Sequence, residues 1–356
     1  MNLSRTAIVV DTPYQIMSAL SYVTNHMAKE EKADIYIDTK RCVNYDMRTL
    51  YERVMSSGIF GNVLELNSLS SGKFGIRKKI ANYYEWLFPK SAIKRGLKCD
   101  WKEVACSYKS VVVSGPFMLQ RNFINLQTNA DVIFIEDGSG SYTGRIGVNG
   151  LLKNGERMQK LLHRGPEYIS PKVCYLYSPA YYEGEYADKI KKLERASEAK
   201  LSLLFDVEST IYEGAHVIYF DQPKYSAETI PYVDDEIIEM LRHYSGVILR
   251  PHPQLKKRKY RDIKCDVEGM QWEIVCSKYI KNESVLIGKY STAQLTPKLL
   301  FDIEPIVVFT HRLYGINRNS SIDNQIRRFK KMYRDETRVI ICESKEELEK
   351  ILLKFA

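Results

Sequence analysis

Short apolar runs separated by polar, helix-forming stretches set the rhythm of this chain. Thr6–Val10, Ala33–Ile37, Val63–Leu66, Ser110–Val113 and Val132–Ile135 are each four or five residues long and rich in Val, Ile and Leu. Runs of that length and composition are strands buried on both faces, as in parallel sheets. Helices are predicted between them, at about Ile16–Val23, Arg48–Met55, around Tyr83–Leu87 and near Met118–Asn125. Ser68–Lys79 reads as a loop that turns basic. Residues 145–180 read as an irregular excursion, and Tyr186–Leu204 has good helix composition. A second alternating series follows: strands at His216–Phe220, Gly246–Leu249, Val285–Ile287, Pro305–Phe309 and Val339–Ile341, with helices at Asp234–His243, Thr292–Phe301 and from Lys345. Strand–helix alternation argues for parallel sheets with crossover helices. The expectation is an α/β chain of two Rossmann-like domains facing a central cleft, residues 1–208 and 209–356, with the last helix packing back on the first domain.

Length agrees with two domains, since 356 residues exceed one ordinary domain. Lys plus Arg exceeds Asp plus Glu by 53 − 44 = 9, which suits an anionic partner without choosing one. The seven cysteines are scattered, odd in number and without Cys-x-x-Cys spacing, which points to reduced thiols in a cytoplasmic protein. No apolar run approaches the roughly 20 residues that span a bilayer, so membrane contact is expected to be peripheral.

Candidate chemistry sits where strands end. The run Val132–Ile135 stops at Glu136-Asp137, followed by Gly138-Ser139-Gly140-Ser141. Open α/β sheets keep ligands at the carboxyl ends of strands. Side-chain alternation predicts that one acid of the pair faces a ligand and the other turns inward. A general base with a structural neighbour, a metal site using both acids, and a polar turn closing a core strand all fit these residues. In the second series, Gly246–Leu249 leads to Arg250-Pro251-His252-Pro253. The flanking prolines stiffen the backbone and present the imidazole, which suits a departing phosphate; a capping histidine is the alternative. Val285–Gly288 ends in Lys289-Tyr290-Ser291-Thr292, a helix start whose hydroxyls and amides could bind phosphate or simply cap. Glu273 opens another helix, either as a ribose acceptor or as a first-turn acid.

Glu136-Asp137-Gly138, His252-Pro253 and Ser291-Thr292 together resemble the three short motifs of bacterial sialyltransferases. Thr12-Pro13-Tyr14-Gln15 resembles the Thr-Pro-Phe-Gln start of glycosyltransferase family 52, the lipooligosaccharide sialyltransferase group, with Tyr in place of Phe. Phe220-Asp221-Gln222-Pro223 is similar to the opening of that family's donor domain. The resemblance implies a GT-B-like, inverting, metal-independent enzyme that uses no cofactor and takes CMP-sialic acid as donor. By it, Asp137 is the base beside Glu136, and His252 assists the leaving CMP. Arg250, Pro253, Glu273, Gly288, Ser291 and Thr292 form the donor side; Thr12, Pro13, Tyr14, Gln15, Gly138 and Ser139 form the acceptor side. The expected partners are a nucleotide sugar and a glycan or glycolipid acceptor, lipooligosaccharide or capsular, and no nucleic acid. The basic runs Lys256–Lys259 and Arg327–Lys331 read as solvated faces or, functionally, as contacts for an anionic glycolipid or the inner membrane surface, and a homodimer stays open. The alternatives are a same-family transferase with another donor such as a glucosyltransferase, a sugar-nucleotide epimerase or hydrolase, and an anionic-surface binding protein.

Overall fold

The computed structural model describes residues 5–28, 30–42, 45–73, 75–97, 108–115, 117–127, 129–142, 171–184, 186–222, 228–230, 232–252, 263–266, 269–316 and 321–355. The chain divides into two compact units, Met1–Phe205 and Asp206–Ala356. Phe205 is buried and closes the first, so the division falls slightly ahead of the expected 208/209 boundary.

The first unit holds seven parallel strands: β1 (Thr6–Val10), β2 (Ala33–Ile37), β3 (Val63–Glu65), β4 (Ser110–Val113), β5 (Asp131–Ile135), β6 (Pro171–Leu176) and β7 (Ile190–Lys192). Their order is β3-β2-β1-β4-β5-β6-β7. Its longer helices are α1 (Pro13–His26), α2 (Met47–Ser56), α3 (Gly75–Leu87), α4 (Pro89–Gly96) and α5 (Met118–Leu126). The second unit repeats the plan with β8 (Val217–Phe220), β9 (Val247–Arg250), β10 (Lys264–Cys265), β11 (Val285–Gly288), β12 (Ile306–Phe309) and β13 (Val339–Ile341), in the order β10-β9-β8-β11-β12-β13. Its helices are α6 (Val233–Leu241), α7 (Trp272–Tyr279), α8 (Thr292–Phe301), α9 (Ser321–Lys330) and α10 (Lys345–Phe355). Each sheet therefore runs outward in both directions from its first strand. This is the doubly wound Rossmann order, whose reversal point lies between β1 and β4 in one unit and between β8 and β11 in the other.

The central strands are as apolar as the runs required: Ala7–Val10 and Leu286–Ile287 are fully buried. Two expectations change. Residues 171–176, read as irregular, form β6, and Ile190–Lys192, read as helix, form the edge strand β7 paired with it. Helix propensity is a weak prior, and the vacant edge of β6 overrides it. Of that stretch only Glu198–Leu201 is α-helical, with a short 3-10 turn at Ala187–Lys189. The last helix, α10, buries Leu348, Ile351 and Leu352 in the core of its own sheet, beside Ile306 and Val308. Its apolar face is thus occupied within the second unit. Arg327–Lys331 runs from the end of α9 into the following turn. Ile326 and Phe329 pack inward there, making an ordinary solvated helix face. Lys256–Lys259 lie outside the described residues.

Candidate functional site

In the first unit, three strand ends converge at the reversal point. β1 ends at Asp11, β4 at Ser114-Gly115 and β5 at Glu136-Asp137. The turn after β1 organises them. Thr12 is the N-cap of α1, its hydroxyl accepting from the Gln15 amide at 3.2 Å, and Pro13 occupies the first helical turn, where its missing N–H costs nothing. This cap aims Tyr14 and Gln15 at the strand-end acids. Tyr14 Oη donates to Glu136 Oε1 at 2.6 Å, and Gln15 Nε2 donates to Asp137 Oδ1 at 2.8 Å.

The two acids have different surroundings. Glu136 is completely buried; beyond Tyr14 it accepts from the Tyr142 hydroxyl and from the Tyr177 amide at 2.8 Å. It is the inward-turned structural partner. Asp137 is half-buried, with its backbone amide donating to Ser141 Oγ at 2.9 Å. Burial pushes its carboxyl up to about 7. The Gln15 bond and Arg41 oppose the rise, while Asp11 adds to it and Glu136 adds least. The like charge of Glu136, its neighbour in sequence, is thus the smallest of these influences. Gly138 and Ser139 are buried, and Gly138 takes a φ of 94°, a left-handed conformation that needs glycine.

Gln15 cannot rotate its amide freely. Its Oε1 accepts from the Asp11 amide at 2.7 Å and from Gln120 Nε2 at 3.1 Å. Gln120 Oε1 in turn accepts from the amides of Ser114 and Gly115, both at 2.9 Å. Backbone donors therefore fix the direction of two glutamines in series, and the last N–H of the relay points at Asp137. Asp11 is buried, 3.8 Å from Arg41 Nε, and burial pushes its carboxyl up to about 7 as well. Arg41 stacks on Phe117 at 4.6 Å. Ser114 Oγ is buried without a hydrogen-bond partner among the described residues. Sequence reasoning passed over Asp11 and Gln120. Asp11 carried the same signal as Asp137, an acid closing a buried strand; Gln120 carried none.

In the second unit, β8, β9 and β11 end together. Gln222, just past β8, brackets the turn after β11: its Oε1 accepts from the Tyr290 amide at 2.9 Å and its Nε2 donates to the Tyr290 carbonyl at 2.8 Å. Ser291 is the N-cap of α8 in a capping box, its hydroxyl accepting from the Ala293 amide at 3.3 Å and its amide donating to Gln294 Oε1 at 3.0 Å. Gly288 leaves room for that box. A Cβ there would meet Gln294 Oε1 at 3.1 Å and Phe220 Cβ at 3.3 Å. Thr292 is the first residue of α8 and is half-buried. Trp272 ties α7 to α8 through Nε1, which donates to the Ala293 carbonyl at 2.7 Å.

Two donor-side residues already have partners within the second unit. Arg250 is already committed: it pairs with Asp266, bonds the Tyr212 hydroxyl at 2.5 Å, donates to the Met270 carbonyl and lies over the Trp272 ring at 5.2 Å. It shapes the strand end, its half-buried guanidinium meeting these partners inside the protein. Glu273 is buried behind Gln271, which donates to its Oε2, and burial raises its carboxyl. A buried acid held in this way is poorly placed to receive a ribose from solvent. His252 is half-buried two residues past β9, and burial lowers its imidazole below the ordinary 6.5. Pro253 lies outside the described residues. Lys289 is buried between Glu228 at 3.1 Å and Asp234 at 3.2 Å, so its charge is neutralised within the protein. Among the described residues no three His, Cys, Asp or Glu side chains are grouped to hold a metal ion, and no helix is long and apolar enough to cross a membrane.

No family model matches this chain, and no curated protein matches it in sequence. Solved structures share its fold. A protein assigned as a UDP-N-acetylglucosamine 2-epimerase from Listeria monocytogenes superposes with a TM-score of 0.55 at 10% identity, covering 100% of this chain and 88% of that one. The glycotransferase of kitacinnamycin gives 0.54 at 9%, covering 100% and 91%. The calicheamicin glycosyltransferase CalG4 gives 0.51 at 8%, covering 92% and 84%. Together with the two doubly wound units of this chain, these likenesses give the fold as GT-B.

Proposed function

We propose that this chain is an inverting glycosyltransferase that moves sialic acid from CMP-sialic acid to a hydroxyl of a cell-surface glycan, lipooligosaccharide or capsular in type. The observation that carries the reading is Asp137. It is a half-buried aspartate at a strand end, oriented by a hydrogen-bond relay and raised by burial to about 7, the range in which a general base works best. Its surroundings match the role that the acidic motif holds in the family the sequence resembles. The GT-B fold shared with sugar-transferring enzymes supports the same class.

In this mechanism Asp137 takes the proton of the acceptor hydroxyl as that oxygen attacks the anomeric carbon, and the CMP phosphate leaves from the opposite face. Amides and hydroxyls at the start of α8 receive the phosphate, because a helix N-terminus favours anions. His252 contributes as a neutral hydrogen-bond donor. Its lowered pKa and the raised pKa of Asp137 make a protonated imidazole and an ionised carboxylate rare at the same pH. The reaction needs no metal on this reading, since the donors aimed at the developing charge belong to the chain.

The test is incubation of the purified protein with CMP-sialic acid and galactose-terminated acceptors, together with calorimetry against CMP and UDP. Transfer together with CMP binding supports the reading. Absence of both transfer and donor hydrolysis overturns it, and tight UDP binding without CMP binding assigns another sugar donor. A second reading, a sugar-nucleotide epimerase, follows from the likeness to the Listeria protein. It expects UDP-N-acetylglucosamine to be epimerised with no acceptor present.

A further inference from the structure

Helix α3 turns its apolar side outward. Ala81 and Glu85 form its buried face, and the Glu85 carboxylate is held by Ser68 Oγ at 2.7 Å and the Leu69 amide at 2.6 Å. On the opposite face, Ile76, Ile80, Tyr83 and Leu87 recur at spacings of four, three and four, which align side chains along one side of a helix. They are 74%, 64%, 66% and 44% exposed, and Phe88 extends the stripe at 54%. The other exposed large apolar residues among those described lie scattered on other elements, as on any soluble surface. A continuous stripe of this kind marks an interaction surface.

The corner between α3 and α4 is braced. Arg95 lies over the Tyr84 ring at 4.8 Å, Tyr84 packs on Phe88 at 5.2 Å, and its hydroxyl bonds Ser91 Oγ at 2.7 Å. The stripe is therefore presented by a fixed element.

Charge selects the occupant. From Lys73 to Arg95 the sequence carries seven Lys and Arg residues, all exposed, and a single acid, the buried Glu85. Arg77 and Lys79 flank the stripe directly. A second copy of the chain docked here would set seven cations against seven. A nucleic acid would answer the charge and leave aliphatic Ile76 and Ile80 against water and phosphate. An anionic bilayer satisfies both features: headgroups face the lysines and arginines, and the acyl boundary takes the isoleucines. The stripe spans about 17 Å at 1.5 Å per residue, suited to a helix lying in the headgroup plane.

We infer that α3 and the start of α4 form a docking surface for an anionic lipid bilayer. This places the contact elsewhere than the basic run at Arg327–Lys331, where Phe329 faces the core. Vesicle binding involves no turnover, so the inference stands or falls apart from the transfer reaction.

The test is co-sedimentation of the full chain with vesicles of phosphatidylcholine mixed with phosphatidylglycerol, and with phosphatidylcholine alone. The expected result is partitioning to the mixed vesicles only, weakened by salt. Ile76→Asn with Ile80→Asn, and separately Arg77→Gln with Lys79→Gln, each reduce partitioning by about tenfold or more. Circular dichroism and melting stay unchanged, because all four side chains are exposed. Failure of the wild-type chain to partition overturns the inference, as does equal partitioning by the isoleucine variant. Binding of an RNA duplex that is lost in the Arg77/Lys79 variant and kept in the isoleucine variant assigns the surface to nucleic acid and overturns it. A smaller sedimentation coefficient for the isoleucine variant assigns it to self-association, with the same consequence.

Discussion

Gln15→Met tests the relay that holds the proposed base. The substitution keeps the side-chain length and removes the N–H that reaches Asp137 Oδ1 at 2.8 Å. A hydrogen bond to a charged group contributes about 1.5–3 kcal/mol, and one pKa unit is about 1.4 kcal/mol, so losing it raises the Asp137 pKa by roughly one to two units. The direction follows from the bond favouring the ionised carboxylate. With the wild-type group half ionised near pH 7, the variant has about 5- to 50-fold less active base at that pH and recovers as pH rises. The assay has two arms: the acid limb of kcat/KM against pH for transfer, and carbon NMR titration of aspartate-labelled protein with Asp137→Asn as the assignment control. The NMR arm needs no turnover. The substitution also strands the Asp11 amide inside the protein, at a cost of about 1–3 kcal/mol, and leaves Gln120 Nε2 with only its 3.4 Å bond to Asp11 Oδ1. Melting temperature should therefore fall. An Asp137 titration that stays in place while the melting temperature falls would refute the reasoning, because Gln15 would then be a scaffold residue only.

Four further outcomes are expected. Asp137→Asn should lower transfer by roughly 10²–10⁴-fold with CMP affinity little changed, while His252→Ala should weaken CMP binding by calorimetry as well as kcat/KM; equal loss of CMP binding in both variants would contradict the assigned roles. Gly288→Ala presses a methyl group on Gln294 and Phe220, so nucleotide affinity and stability, by about 1–2 kcal/mol, should both drop, read by calorimetry and denaturant midpoint. Activity should persist in excess EDTA, and restoration by Mg²⁺ after loss would reassign Glu136 and Asp137. Asp11 has a folded-state pKa of about 7 against an ordinary 3.8, so protonation favours the folded state. Its contribution is greatest below about pH 4 and is lost as pH rises to 7, at up to about 1.4 kcal/mol per unit of pKa difference. Asp11→Asn should flatten that slope in urea titrations at several pH values, and an unchanged slope would place the effect elsewhere.

Much of this protein is legible in its local sequence. Apolar runs of four or five residues mark the central strands of both sheets, and Thr12-Pro13 marks the start of α1, because burial period and capping depend on near neighbours in the chain. Alternation along a strand separates Glu136 from Asp137, one fully buried and one half-buried, as the pleat requires. The strand-end acid, the histidine past β9 and the capped start of α8 are readable for the same reason. Strand order decided the rest. Gln15 meets Asp137 across 122 residues, and Gln120 meets Gln15 across 105, because β1, β4 and β5 are adjacent in the sheet although two of them are far from the first in sequence. Arg250 carries no local sign of its ion pair, which forms because Asp266, just past β10, lies beside it. Ile190–Lys192 became a strand because β6 had an edge to fill, and Ile76 and Ile80 point outward because Ala81 and Glu85 claimed the buried face of their helix, where Glu85 meets Ser68, Leu69 and Asn122. A hydrogen-bond partner or a buried face is settled by which elements lie side by side, and no local pattern in the chain carries that information.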